Sequence, residues 1–215
     1  MTEKKRNHFL ILGDSYSTFE GWIPQGYAAY YTQGNGCDTD VKSVEETWWH
    51  RFAHDTGATL VQNNSWSGST ICFTGYEGDC SETSSFLCRL RKLEKAGFFR
   101  ENEIDTVFIF GGTNDGWANS PVGELMFSDW KKDDLFSVLP AVCCLLHELK
   151  AAAPKAEIVV LINTEMKDEI TDGLAAACEH EHVRALRLHD IDKAGGHPTV
   201  KGMQQIEQQL LEFLK

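Results

Sequence analysis

Short apolar runs alternate along the chain with longer stretches whose apolar positions recur at helical spacing. The strand candidates are His8–Leu12, Ala58–Gln62, Thr106–Phe110, Glu157–Ile162 and Val183–Leu188, each rich in apolar or β-branched residues. Helical patterns cover Glu45–Asp55, Ser81–Ala96, Asp133–Ala152, Lys167–His180 and Thr199–Leu214. The last places Val200, Met203, Ile206, Leu210 and Leu214 on one face. Pro140 lies inside the third pattern and predicts a kink or a restart there. Repeated strand-then-helix order predicts an α/β fold, a parallel sheet with helices on both faces. Strands apolar on both sides fit such a doubly wound, three-layer sandwich.

One stretch fits no regular element. From Ser17 to about Val44 the chain carries Trp22, Tyr27, Tyr30 and Tyr31 among Gly21, Gly26, Gly34 and Gly36. Its aromatic content argues against disorder, and long loops in compact domains are usually functional. It suits either the wall of a substrate cleft or a packed surface loop.

Composition narrows the partners. The 215 residues suit one domain over 1–215, and 42 % hydrophobic content suits a globular chain. Twenty basic against 32 acidic side chains leave a net charge of −12. With no basic cluster beyond Lys4-Lys5-Arg6, this argues against nucleic acid and against anionic membranes as partners. No apolar run reaches the roughly 18 residues of a membrane span. The start has basic residues but only four apolar ones after them, too few for a secretory leader. The chain as it stands is read as cytoplasmic. The seven cysteines, at 37, 72, 80, 88, 143, 144 and 178, form no zinc signature and no Cys-x-x-Cys, so free buried thiols are expected.

Four polar segments follow apolar strands. They are Gly13-Asp14-Ser15 after the first and Asn63-Asn-Ser-Trp-Ser-Gly68-Ser69 after the second. Gly111-Gly-Thr-Asn114-Asp115 follows the third, and Gly195-Gly-His197-Pro198 follows the fifth, at the start of the last helix. Sites in open parallel sheets collect at the carboxyl ends of strands. Acyl transfer needs a nucleophile, a base within reach and donors for an oxyanion. Ser15 can supply the first and His197 the second. A histidine just before a helix feels positive dipole character, which disfavours its cation. Asn114 carries an amide donor, and Gly68 lets its backbone N–H approach a substrate closely. Asp14 and Asp115 suit loop-fixing bonds to backbone N–H groups.

In this order the four segments resemble the SGNH hydrolases, the GDSL-like esterase/lipase family, whose Ser, Gly, Asn and His correspond to Ser15, Gly68, Asn114 and His197. The resemblance runs from residue 8 to the last helix and implies a flavodoxin-like five-stranded parallel sheet. It implies a serine esterase with catalytic Ser15 and His197, and an oxyanion hole of the Ser15 and Gly68 N–H groups and the Asn114 amide. No cofactor is implied. The implied partner is a small-molecule or carbohydrate ester, and a short acyl group such as acetyl is preferred for want of a long apolar lid.

The acid departs from the family pattern. Asp-x-x-His would place it at residue 194, which is Ala194. Asp192 is expected to fold back to the imidazole through an extra turn at Gly195-Gly196. Asp190, or a Ser–His pair oriented by a backbone carbonyl, are the alternatives. Other readings are weaker. His50 and His54 share a helix face but lack a third metal ligand, so no metal is expected. No Gly-x-Gly-x-x-Gly or Gly-Lys-[Ser/Thr] loop supports a nucleotide site. A non-catalytic carbohydrate- or ligand-binding protein on the same fold would not need both Ser15 and His197.

Overall fold

A computed structural model describes residues 6–34 and 38–215. Lys4, Lys5, Gly36 and Cys37, named above, lie outside the described residues. The five expected strands are present: β1 (His8–Gly13), β2 (Thr59–Ser65), β3 (Thr106–Phe110), β4 (Glu157–Ile162) and β5 (Arg184–Arg187). They pair in parallel in the order β2-β1-β3-β4-β5, the doubly wound order with a switch point between β1 and β3. Five main helices flank them: α1 (Trp48–Thr56), α2 (Phe86–Lys95), α3 (Val138–Ala152), α4 (Asp168–His180) and α5 (Val200–Phe213).

The period-two geometry of the strands divides the core in two. On β1, Leu10 and Leu12 point into a layer with Leu87 and Leu90 of α2, Val142 and Leu146 of α3, and Leu174 of α4. Phe9 and Ile11 point the other way, onto Trp48, Trp49 and Phe52 of α1 and Met203, Ile206 and Leu210 of α5. A sheet covered on both faces needs apolar residues at every position, which is why β3 and β4 are buried throughout. The loop after Ser17 joins the second layer through Phe19, Tyr31, Val41 and Val44.

Three helical patterns begin later than the apolar spacing predicts; α2 starts at Phe86 and not at Ser81, capped by Ser85. A 3₁₀ turn at Val44–Glu46 precedes α1, and the Thr47 hydroxyl accepts from the His50 N–H at 3.4 Å. A 3₁₀ turn at Lys132–Phe136 precedes α3, so the restart falls at Ser137 and not at Pro140. Pro140 occupies the first turn of α3, where a missing N–H leaves no bond unmade. Among the described residues, no helix is long and apolar enough to cross a membrane.

Candidate active site

β1 and β3 end side by side, with Gly13 opposite Phe110. Their carboxyl ends open the crevice of the switch point. Gly13 is required there: a Cβ would lie 2.7 Å from Ser17 Cβ and closer still to Ser65 Oγ. Without one the chain can turn sharply. Asp14 fixes the turn, donating its N–H to Phe110 O at 3.1 Å and accepting the Tyr16 N–H on Oδ1 at 3.0 Å. Ser15 thus opens a 3₁₀ turn, Ser15–Ser17, and is 2 % exposed.

His197 arrives on a hairpin. Lys193–Ala194 pairs antiparallel with His197–Pro198. The two turn residues, Gly195 and Gly196, both have positive φ, +55° and +78°, which a two-residue hairpin of matching twist requires. The hairpin brings His197 Nε2 to 2.9 Å from Ser15 Oγ, across 182 positions of sequence. The other ring nitrogen, Nδ1, lies 3.3 Å from Gly195 O. A carbonyl only accepts, so Nδ1 carries the proton, and Nε2 faces the serine hydroxyl with its lone pair.

Aromatic residues enclose the imidazole. Tyr30 stacks on it, with centroids 3.5 Å apart and planes at 8°. The Tyr16 hydroxyl donates to Gly196 O, and the Tyr31 hydroxyl to Pro198 O at 2.9 Å. Trp117 also meets the ring edge-on, with centroids 5.7 Å apart. Burial holds the His197 pKa below its ordinary value; the Gly195 carbonyl and Asp38 oppose this, and Lys193 adds to it. A neutral base is the form that can accept a proton.

The structure corrects the expectation for Asp192. The Gly-Gly turn folds the chain back, but in a register that sets Asp192 opposite Thr199, two positions beyond His197. The Thr199 N–H donates to Asp192 O at 3.1 Å, and the Thr199 hydroxyl to the Asp192 carboxylate at 2.5 Å. Thr199 in turn caps α5, accepting the Gly202 N–H. A Cβ at Gly202 would collide with Asp192 O, so the backbone is packed onto the first turn of α5. Asp190 is also turned away; its carboxylate meets His189 at 3.0 Å. The Nδ1 of the imidazole faces the Gly195 carbonyl.

Gly68 lies in a turn with φ +79°, closed by the Ser69 N–H on Trp66 O. Asn114 stands in a short helix, Thr113–Trp117, and its Nδ2 donates to Ser69 O at 3.1 Å. That bond joins the segment after β3 to the one after β2. Asp115 is buried and receives the N–H groups of Ile71 and Cys72, so it fixes the same loop.

Two residues of the site's surroundings escape the sequence reading, and Tyr30 was seen there only as part of the aromatic loop. Tyr76, at the tip of a hairpin (Thr74–Gly75 with Gly78–Asp79), donates its hydroxyl to Asn114 Oδ1 at 3.0 Å. Arg89 of α2 is fully buried under the site. It donates to Gly13 O and Ser69 Oγ, each at 3.0 Å, to Asn64 Oδ1 at 3.1 Å and to Ser84 O at 2.8 Å, and it also meets Asn64 O. Its signal was an arginine on the apolar face of α2, between Phe86 and Leu93. Among the described residues, the group with spacing for a metal is His8, Glu103 and Asp105, at the opposite end of the sheet.

Known proteins share this arrangement of elements. The family model for GDSL-like lipase/acylhydrolase matches residues 7–214. A GDSL-like family protein from Bacteroides ovatus is 42 % identical over 98 % of both chains, with a TM-score of 0.91. One from Bacteroides uniformis is 45 % identical over 96 % of this chain and 94 % of its own, with a TM-score of 0.89. The fold is shared more distantly with an acetyl xylan esterase from the rumen bacterium Butyrivibrio proteoclasticus, 18 % identical over 96 % of this chain and 62 % of that one, with a TM-score of 0.62. No curated protein matches the sequence.

Proposed function

The chain belongs to the GDSL-like lipase/acylhydrolase family, and we propose on that premise that it is a serine esterase removing a short acyl group, such as acetyl, from a carbohydrate or small alcohol. The observation that carries this is the 2.9 Å contact between Ser15 Oγ and His197 Nε2. A serine hydroxyl is a weak nucleophile until a base takes its proton, and that base must lie within hydrogen-bond reach. In the proposed reaction Ser15 Oγ attacks the ester carbonyl as His197 Nε2 takes its proton. The Ser15 and Gly68 N–H groups and the Asn114 amide hold the oxyanion. The C–O bond to the alcohol then breaks, and His197 gives the proton to the departing oxygen. Water, activated by the same nitrogen, attacks the acyl-enzyme and releases the carboxylic acid and free Ser15. The Gly195 carbonyl sets the tautomer, and Tyr30 sets the plane of the ring.

The side chains around Ser15 favour a small polar substrate. Asn114 and the hydroxyl of Tyr76 are polar, and the rings of Tyr76 and Trp117 are among the exposed aromatics of the chain. Such amphipathic rings suit a sugar better than an extended acyl chain. The six described cysteines are free and buried, which supports a reducing, cytoplasmic setting.

The test is a fluorophosphonate probe with peptide mapping, run beside a series of p-nitrophenyl esters. The probe labels Ser15, and kcat/KM is highest for acetate and falls with acyl length. Absence of labelling would sink the esterase reading, and a maximum at long acyl chains would sink the substrate assignment.

Asp192 supplies a second check. Asp192→Asn leaves kcat/KM within about twofold of the parent, because the carboxylate does not touch the imidazole. The acid limb of kcat/KM against pH also stays where it was. That limb falls as His197 takes up a proton and lies below the ordinary imidazole value, since burial disfavours the cation. What the variant loses is a partner of the α5 cap, worth about 0.5–1 kcal/mol of stability at a half-exposed site. A hundredfold loss of activity with a displaced acid limb would restore Asp192 to the site.

A further inference from the structure

We propose that Tyr76 is a positioning residue for the reaction, its hydroxyl fixing the amide of Asn114 so that one N–H faces the oxyanion. The inference rests on the esterase reading and extends it to a residue outside the four family segments. An asparagine amide can be turned over, exchanging its oxygen for its nitrogen, and only the donor side serves an oxyanion. Ser69 O is a carbonyl and accepts only, so the Asn114 atom 3.1 Å from it is the nitrogen. This leaves Oδ1 for the Tyr76 hydroxyl, at 3.0 Å. One N–H of Nδ2 is used on Ser69 O, and the second remains for a substrate. Turning the amide over would set two oxygens against each other at Ser69, so the Ser69 carbonyl selects the orientation. In that orientation the Tyr76 hydroxyl holds Oδ1 from the opposite side and keeps the amide from swinging out of its plane. Donation to Oδ1 also polarises the amide and strengthens its N–H groups as donors.

The surroundings of Tyr76 fit this role better than a packing role. Its ring is 52 % exposed and belongs to neither core layer. The hairpin that carries it is anchored from below: Thr74 Oγ1 donates to Phe136 O at 2.7 Å, and Ser120 Oγ donates to Thr74 O at 2.8 Å. Thus a two-residue tip of fixed position delivers a hydroxyl to the back of Asn114. Burial of that hydroxyl pushes its pKa up, and Asp14 and Asp115 push it further, so it stays a protonated donor at every working pH.

The experiment compares Tyr76→Phe, Asn114→Ala and the double variant on p-nitrophenyl acetate, with circular dichroism and Tm for each. Tyr76→Phe lowers kcat about tenfold with KM within about twofold, since the oxyanion forms only after binding. Asn114→Ala lowers kcat by about 10²–10³ as an oxyanion donor does. The double variant is no slower than Asn114→Ala, because the hydroxyl acts only through the amide. A parental kcat for Tyr76→Phe beside an impaired Asn114→Ala overturns the role of Tyr76 and leaves the esterase reading intact. A further tenfold loss in the double variant also overturns it, by giving the hydroxyl an effect independent of Asn114. A parental kcat for Asn114→Ala overturns the oxyanion assignment and this inference with it.

Discussion

Ser15→Ala lowers kcat for p-nitrophenyl acetate by at least about 10⁴-fold, His197→Ala does nearly the same, and the double variant is no worse than either. The two side chains perform one act. With the hydroxyl gone there is nothing for Nε2 to deprotonate, and with the imidazole gone the hydroxyl remains an ordinary alcohol. Losses from groups acting as a unit do not add. The residual rate comes from the oxyanion donors, which both variants keep. The measurement is steady-state kinetics at a pH above the acid limb, with the Tm of each variant alongside. Ser15→Ala removes a single small oxygen and keeps its fold. His197→Ala opens space beneath Tyr30 and Tyr16, so His197→Gln, which fills more of it, is the control for packing. Losses that multiply in the double variant would mean that Ser15 and His197 act separately, and the proposed reaction would fail.

The central strands were legible because they are apolar on both sides, and β3 and β4 have the bounds that their apolar runs predict. The starts of α1 and α3 were less so. A 3₁₀ turn and the helix after it present one apolar face, and the break between them is set by Thr47 and Ser137, whose backbones are extended. The four loop segments could be found because each is a short polar run that holds a glycine and follows a strand. At the first of them, the turn that brings Ser15 to His197 leaves no room for a Cβ at Gly13, so glycine and serine fall in nearly adjacent positions.

What surrounds the imidazole was not legible in the same way. Tyr30 lies 167 positions before His197, and nothing in a loop rich in tyrosine says which ring stacks and which hydroxyl reaches Pro198. The aromatic loop divides its residues: Tyr30 packs on His197, and Phe19, Tyr31 and Val41 pack in the core layer. Asp192 failed for a register reason. The Gly-Gly turn was read rightly as a fold-back, but a hairpin pairs residues by counting from its turn. The count places Asp192 against Thr199. An acid near a histidine in sequence is therefore weak evidence for contact when a tight turn separates them.

Arg89→Met lowers unfolding free energy by about 3–5 kcal/mol, the effect expected when the donor to several buried acceptors is removed. Methionine fills much of the volume but donates nothing, so Gly13 O and Asn64 O lose their side-chain donor in a region closed to water, and Ser84 O loses its donor at the edge of it. For a chain of this size that corresponds to a fall in Tm of about 10 °C. Arg89→Lys recovers only part of it, since one ammonium cannot span acceptors on three segments. Burial brings the Arg89 pKa down to about 10, so the guanidinium is charged at neutral pH and acts on Asp14. The Asp14 carboxyl is pushed up to about 7 by burial, with Asp115 adding to the effect and the Tyr16 N–H and Arg89 opposing it. An acid whose folded pKa lies above its unfolded value binds more protons when folded, so its contribution falls as pH rises between the two. Removing Arg89 raises the folded value further and carries that fall above pH 7. The deficit of Arg89→Met is therefore larger at pH 8 than at pH 5. Urea unfolding followed by circular dichroism at both values measures it. A deficit under 1 kcal/mol, or one larger at pH 5, would show that the three loops of the site hold together without this guanidinium.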